Sequence, residues 1–334
     1  MIERRLRNIV LSGFGNQIRK ENDLVKIVVK EENDKKIFSF SPHEIEQIII
    51  AGETSVTSGV IRLLLENSVD LVFVQHRPNF FARVIRGDSN LITDLWRKQI
   101  NLDDNKKLGI AKEIIDCAIY NKIRLLQGIT RNRNVDFENE INEMNVARNS
   151  IADSRNNNEL MGVEGHATKT YFGSLYKLIP KEFGFIKREK HPPKDPVNAM
   201  LSYGYTVLRS RVEYGLMLAG LNIYGGIIHS TYRDRVSLGF DLMEEFRQPI
   251  VDRAVLTMIV RGQVRVEDFD LKPDMCYMDE ELKRKYLDIL YCRLEEKYVY
   301  EKQKISFLDI IFEQAKKLAK TISREEMYHG FRWR

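Results

Sequence analysis

The residues of this chain best equipped for chemistry are one histidine and three carboxylates. Asp241 and Glu244 stand three apart in SLGFDLMEEF, so a helix there would carry both on one face. His229 closes the apolar run NIYGGIIHS, and Glu164 lies upstream in GVEGHATKTYF. Two oxygen donors on adjacent helical turns suit a hard divalent cation, Mg2+ or Mn2+, and an imidazole beside them favours Mn2+. Spacing by itself equally allows acids favoured by a helix dipole, a satisfied buried histidine, and Glu164 as the cap of a helix start.

Helices must position these groups, and the pattern supplies them. Leu201, Tyr205, Leu208, Val212 and Leu216 recur at helical steps, a core face with Asn198 as cap and Gly220 as terminator. A second apolar stripe, Ala167, Tyr171, Leu175 and Leu178, begins at Glu164 after a loop at Asn156–Asn158. KKLGIAKEIIDCAIYNKIRLLQGITR and FENEINEMNVARNSIADS read as scaffold helices. LIPKEFGFIKREKHPPKDPV is a basic loop whose prolines bar regular helix. Pro249 should kink or restart the helix after Arg247, and Asp252–Arg253 reads as an ion pair or a phosphate-facing pair. Two further helices follow, and then MYHGFRWR, a basic aromatic tail suited to docking on DNA or another subunit, or else frayed.

The N-terminal stretch has a different period. IVLSGFGNQIRKENDLVKIVVKEENDKKIFSFS alternates strand-like runs with turn signals at Gly13–Asn16, Glu21–Asp23 and Glu31–Asp34. EIEQIIIAG, DLVFV and NFFARVI add strands, SVTSGVIRLLLENSV adds a helix, and RGDSNL ends the strand pattern. The expectation is an α+β chain of two domains: residues 1–88, one small sheet with a covering helix, and residues 89–334, all-α and carrying the site.

Composition narrows the function classes. In 334 residues, 43% hydrophobic and 30% charged, there is a sizeable core and no disordered composition. No apolar run approaches the roughly 18 residues of a membrane span, and no secretory signal is evident, so a cytoplasmic setting is expected. The 53 basic residues against 48 acidic permit a phosphate-rich partner without demanding one. Cys117, Cys276 and Cys292 lack metal-ligand spacing and read as buried reduced thiols. Phosphate-loop, dinucleotide and HExxH motifs are absent, which leaves nucleotide hydrolysis and dinucleotide redox chemistry unsupported.

GVEGHATKTYF, PVNAMLSYGYTVL, GLNIYGGIIHS and SLGFDLMEEFRQPIVDR, in that order, resemble the CRISPR-associated spacer-acquisition integrase family (Cas-one). The β-rich then helical layout extends the resemblance over the whole chain. Ile223 departs from the proline that the family often carries before the glycine turn, a matter of loop stiffness. The resemblance implies a metal site of Glu164, His229 and Glu244, with Asp241 as a supporting acid or alternative ligand, holding Mg2+ or Mn2+. It implies a homodimer formed through the N-terminal domain and a small partner dimer (Cas-two). It also implies short double-stranded protospacer DNA whose 3′-hydroxyls attack phosphodiesters at CRISPR repeat boundaries. Phosphate contacts are expected from Arg247, Arg253, Lys187, Arg188 and Lys190. A branched-DNA repair nuclease and a catalytically silent DNA-binding scaffold are the alternatives on the same fold.

Overall fold

The computed structural model describes residues 7–11, 14–30, 35–50, 53–67, 69–74, 80–84, 90–132, 135–189, 192–229, 236–324 and 326–334. They divide into two compact units, Met1–Asn90 and Leu91–Arg334.

Alternating β-branched and polar residues give the first unit its strands: β1 (Arg7–Leu11), β2 (Phe14–Glu21), β3 (Leu24–Lys30), β4 (Lys35–Phe40), β5 (Ile45–Ile50), β6 (Glu53–Val56), β7 (Asp70–Val74) and β8 (Phe80–Val84). They form two four-stranded sheets where the sequence pattern suggests one. One is ordered β4-β3-β2-β6 and the other β1-β5-β7-β8. β2, β3 and β4 make an antiparallel meander. Its first turn contains Asn22 at φ 55°, a left-handed conformation that asparagine tolerates. The turns expected at Gly13 and at Glu31–Asp34 lie outside the described residues. β1, β5 and β7 pair in parallel, and parallel partners are distant in sequence, so no hairpin signature announces that sheet. Helix α1 (Ser58–Glu66) adds Val60, Leu63 and Leu64 to a core containing Ile18, Ile27, Ile48 and Leu71.

The second unit is built on α2 (Asn90–Ile100), α3 (Asp104–Asn132), α4 (Glu138–Asn149), α5 (Asn157–Leu175), α6 (Pro196–Leu218), α7 (Ser237–Met243) and α8 (Arg253–Val260). A hairpin β9 (Phe269–Lys272)–β10 (Met275–Met278) precedes α9 (Glu280–Glu295), and a hairpin β11 (Lys297–Tyr300)–β12 (Gln303–Ser306) precedes α10 (Phe307–Arg324). The helical pattern contains no hint of the second hairpin, because its turn places Glu301 (φ 45°) and Lys302 (φ 71°) where glycine or asparagine is usual.

Both helix starts near the candidate ligands fall earlier than the sequence suggests. Asn156 caps α5 by accepting from the Glu159 amide at 3.0 Å, so the asparagine run opens the helix and Glu164 sits in its interior. Asp195 caps α6, accepting from the Asn198 amide at 2.9 Å, with Pro196 at the first helical position. The face Leu201, Tyr205, Leu208, Val212 and Leu216 is buried.

Between α7 and α8 the helix is irregular around Pro249 and restarts as α8 at Arg253, as the proline leads one to expect. Glu244, Glu245 and Phe246 are closed by backbone bonds three residues back, and Arg247–Asp252 is then a π-helical turn. The proline supplies no N–H to a regular ladder, and its carbonyl accepts from Arg293 Nε at 2.8 Å. The segment 326–334 is neither frayed nor free for docking. Tyr328, Phe331 and Trp333 are buried in the core of the helical unit. Cys117 and Cys276 are buried, whereas Cys292 is exposed.

Candidate active site

Asp241 is fully buried on α7. Its carboxylate accepts from the amides of Ile227 (2.6 Å), Ile228 (3.0 Å) and His229 (3.2 Å), and faces His229 Nδ1 at 2.6 Å. The loop reaches this position because Gly226 has no side chain: a Cβ there would stand 2.2 Å from the His229 carbonyl oxygen and 2.6 Å from Ser237 Cβ. With Nδ1–H directed at the carboxylate, Nε2 is the ring nitrogen left with a lone pair. The His229 side chain is 21% exposed.

Glu164 projects from the middle of α5. Thr168 Oγ1, one turn on, donates to its Oε1 at 2.5 Å, and Lys122 Nζ of α3 approaches the same oxygen at 3.4 Å. Lys122 is buried. Burial pushes the Glu164 carboxyl up, but Lys122, Thr168 and Arg247 together outweigh it and hold the group below the usual glutamate range.

Glu244 lies in the tight turn after α7, 2.9 Å from Arg247 Nη2. The Arg247 guanidinium sits 4.8 Å over the Tyr205 ring, and Arg188 approaches that ring at 5.5 Å. Burial alone would lower the Arg247 pKa, yet Glu244, Tyr205, Glu164 and Asp252 raise it, so this cation is felt by both candidate glutamates. Arg247 Nε is buried and finds no hydrogen-bond partner among the described residues. Beneath the arginines, Tyr205 and Tyr171 donate to the two oxygens of buried Asp252 at 2.6 and 2.7 Å. Burial nonetheless raises the Asp252 pKa, against the opposing effect of the tyrosine hydroxyls.

The structure thus brings Glu164 and Glu244 to one arginine and gives His229 a fixed orientation. Among the described residues no group of three or more His, Cys, Asp or Glu side chains is gathered closely enough to hold a metal ion. Each candidate ligand instead has a protein partner: Lys122, Arg247 or Asp241. The donor chemistry fits Mg2+ or Mn2+ all the same, since it comprises carboxylate oxygens and one imidazole nitrogen whose tautomer Asp241 sets.

The expected phosphate contacts are divided. Arg188 joins Arg247 at Tyr205 and also donates to Asn198 Oδ1 (2.8 Å) and Ser202 Oγ (3.0 Å). Lys187 is exposed, 3.5 Å from Glu189. Arg253 is not paired with Asp252; its guanidinium lies 5.0 Å over the Trp333 ring. Lys190 lies outside the described residues. Sequence reasoning missed Lys122, although a lysine in the apolar stripe Ile115, Ile119, Leu126 of α3 is itself a signal. It also placed Tyr205 on the core face and left Asp252 to Arg253, because the tyrosine–carboxylate contacts join residues 81 and 47 positions apart.

The family model described as CRISPR associated protein Cas1 matches residues 9–290. A CRISPR-associated endonuclease Cas1 of Methanospirillum hungatei is 30% identical over 333 residues, covering 98% of this chain and all (100%) of that one. Among solved structures, a casposase bound to integration product superposes with a TM-score of 0.80 at 24% identity, over 97% of this chain and 93% of that chain. A Cas6-RT-Cas1–Cas2 complex gives a TM-score of 0.80 at 23% identity, over 99% of this chain and 37% of that chain.

Proposed function

The chain belongs to the CRISPR-associated Cas1 family, and on that premise we propose that it is a metal-dependent DNA integrase and endonuclease of CRISPR adaptation. Its substrates are short protospacer duplexes, whose 3′-hydroxyls are joined to phosphodiesters at CRISPR repeat boundaries. The observation that carries this reading is the Asp241–His229 pair, a buried carboxylate that fixes an imidazole tautomer and leaves Nε2 for a ligand. Glu164, His229 Nε2 and Glu244 would hold Mg2+ or Mn2+. When bound, the ion supplies Lewis-acid polarisation of the phosphate and lowers the pKa of the attacking hydroxyl.

The remaining work falls to the chain's own residues. Asp241 keeps the proton on Nδ1. Lys122 and Thr168 keep Glu164 ionised before any ion arrives. Arg247, with its unpartnered buried Nε, and Arg188 offer donors to the phosphate and counter the charge that builds on its oxygens. The casposase bound to integration product and the Cas6-RT-Cas1–Cas2 complex support DNA and Cas2 as partners; a homodimer made through the first unit and a dimeric Cas2 are part of the proposal. No helix among the described residues is long and apolar enough to cross a membrane, in keeping with action on DNA in the cytoplasm.

The test is strand transfer of a short duplex into supercoiled repeat-bearing DNA with Mn2+, using wild type, Glu164→Ala and His229→Ala. Both variants should lose joined products while still binding DNA. Joining by Glu164→Ala at the wild-type rate would overturn the ligand assignment, and products that are cut but never joined would replace integration by hydrolysis.

A further inference from the structure

The segment Glu326–Arg334 takes no part in the chemistry above, yet its anchors converge on the chain immediately beside it. Tyr328 Oη donates to Glu245 Oε1 at 2.7 Å, and the Phe331 amide donates to Glu245 Oε2 at 2.7 Å. The Phe331 ring stacks on Phe246, with centroids 5.3 Å apart and planes 8° from parallel. Asn121, next to Lys122, ties the two sides together. Its Nδ2 donates to the Glu245 carbonyl (2.7 Å) and the Phe331 carbonyl (3.0 Å), and its Oδ1 accepts from the Trp333 amide (2.8 Å). Gly330 lets the chain pass at this depth, since a Cβ would stand 2.6 Å from Cys117 Sγ and 2.8 Å from Glu245 Oε1. Farther out, Arg332 grips Glu113 (2.7 Å) and Asp116 (2.6 Å).

The turn that receives these contacts is irregular, closed by one ordinary backbone bond, from the Phe246 amide to the Met243 carbonyl at 2.9 Å, and by two long ones. Glu244 and Glu245 close it with backbone bonds of 3.3 Å each, beyond the usual N–H···O range, and a π-helical turn follows. Glu245 and Phe246 both face the segment, whereas Glu244 turns to Arg247, so holding the first two fixes the backbone that aims the third.

We propose that Glu326–Arg334 is a positioning strap: seated on Glu245, Phe246 and Asn121, it aims Glu244. The inference rests on the reading of Glu244 as a metal ligand. Tyr328 and Phe331 touch neither substrate nor ion; they act through the turn.

The experiment compares wild type, Tyr328→Phe, which deletes one hydroxyl at the inner anchor, and Arg332→Met, which loosens the outer one. Mn2+ affinity by electron paramagnetic resonance, strand-transfer kcat and KM, melting temperature, and hydrogen exchange of the peptide spanning Met243–Gln248 are read on each. Tyr328→Phe should weaken Mn2+ binding and lower kcat by roughly tenfold, the low end for a group that orients a ligand, with KM for DNA unchanged and exchange at the turn faster. Arg332→Met should lower the melting temperature at least as far while leaving Mn2+ affinity within about twofold of wild type. Equal losses of Mn2+ affinity in the two variants, or none in either, would overturn the strap. If Glu164→Ala binds Mn2+ as well as wild type does, the ligand reading itself fails. The strap is then judged on exchange alone, and an unchanged turn in Tyr328→Phe overturns it.

Discussion

Replacing Lys122 by methionine should destabilise the metal-free protein and make its stability respond to divalent ions. The Lys122 and Glu164 side chains are 2% and 17% exposed, with the ammonium 3.4 Å from the carboxylate. Stranding one member of a buried pair costs about 3–5 kcal/mol. The partial exposure of Glu164 and the nearby Arg247 charge reduce this to about 2 kcal/mol. At about 2–4 °C per kcal/mol for a unit of this size, the melting temperature should fall by roughly 4–8 °C. Scanning calorimetry in chelator at neutral pH measures the gap between variant and wild type. Repeating it in millimolar Mn2+ should narrow the gap, because an ion at Glu164 supplies the missing counter-charge, and the variant should bind Mn2+ more tightly than wild type for want of an internal competitor. Saturation at about a hundredfold over Kd adds about 2.7 kcal/mol, enough to see. A gap of equal size with and without the ion would refute the idea that Lys122 occupies the ion's side of Glu164.

Three other predictions rest on the same geometry. Tyr205→Phe leaves one oxygen of buried Asp252 without its 2.6 Å donor, and should cost about 1–3 kcal/mol by urea titration, with Tyr171→Phe comparable. Gly226→Ala drives a Cβ to 2.2 Å from the His229 carbonyl oxygen, so strand transfer should vanish while circular dichroism stays that of the wild type; retained activity would exclude the loop geometry described. The Glu245 carboxyl is pushed up to about 8, by burial above all, despite hydrogen bonds from the Phe331 amide and Tyr328. The folded state therefore keeps a proton that an unfolded glutamate, with its pKa of 4.5, has released. That contribution is full below about 4.5 and is lost as pH rises through about 8, so stability should decline across this window. Glu245→Gln should flatten the decline in urea midpoints measured along pH, and an unchanged slope would refute it.

What the sequence reveals follows from how local each interaction is. The β-rich first unit and helical second unit are legible because alternation and 3.6-residue recurrence are properties of short windows, and the buried face of α6 from Leu201 to Leu216 follows the same rule. The β1-β5-β7 pairing is not local, and no short window contains it. The caps fail for a chemical reason: Asp195 and Asn198, like Asn156 and its neighbours, are all competent caps, and the backbone's choice among them rests on Pro196 and on Glu159. At the site, the acids and histidine are visible as residue types, but their partners are not. Spacing leaves Asp241 open between ligand and supporting acid, and only the structure shows that three amides and His229 Nδ1 take up its oxygens. Asp252 reads as the partner of Arg253 until two tyrosines from α5 and α6 claim it. The segment 326–334 illustrates the same limit, for composition describes a tail whereas Glu245 and Asn121 make it part of the interior.

The π-helical turn at Arg247–Asp252 has a consequence for how this chain tolerates change in length. Each of its hydrogen-bonded rings encloses one residue more than an α-helix would use. Losing a single residue, Ile250 for instance, would let the backbone close into a regular helix with better bonds. The helix beyond would keep its setting, but the turn itself would redraw, changing how Arg247 stands to Glu244 and how Asp252 stands to Tyr171 and Tyr205. A library of single-residue deletions sorted for thermal resistance and one sorted for DNA joining should therefore disagree at this turn, where the more regular chain is the inactive one.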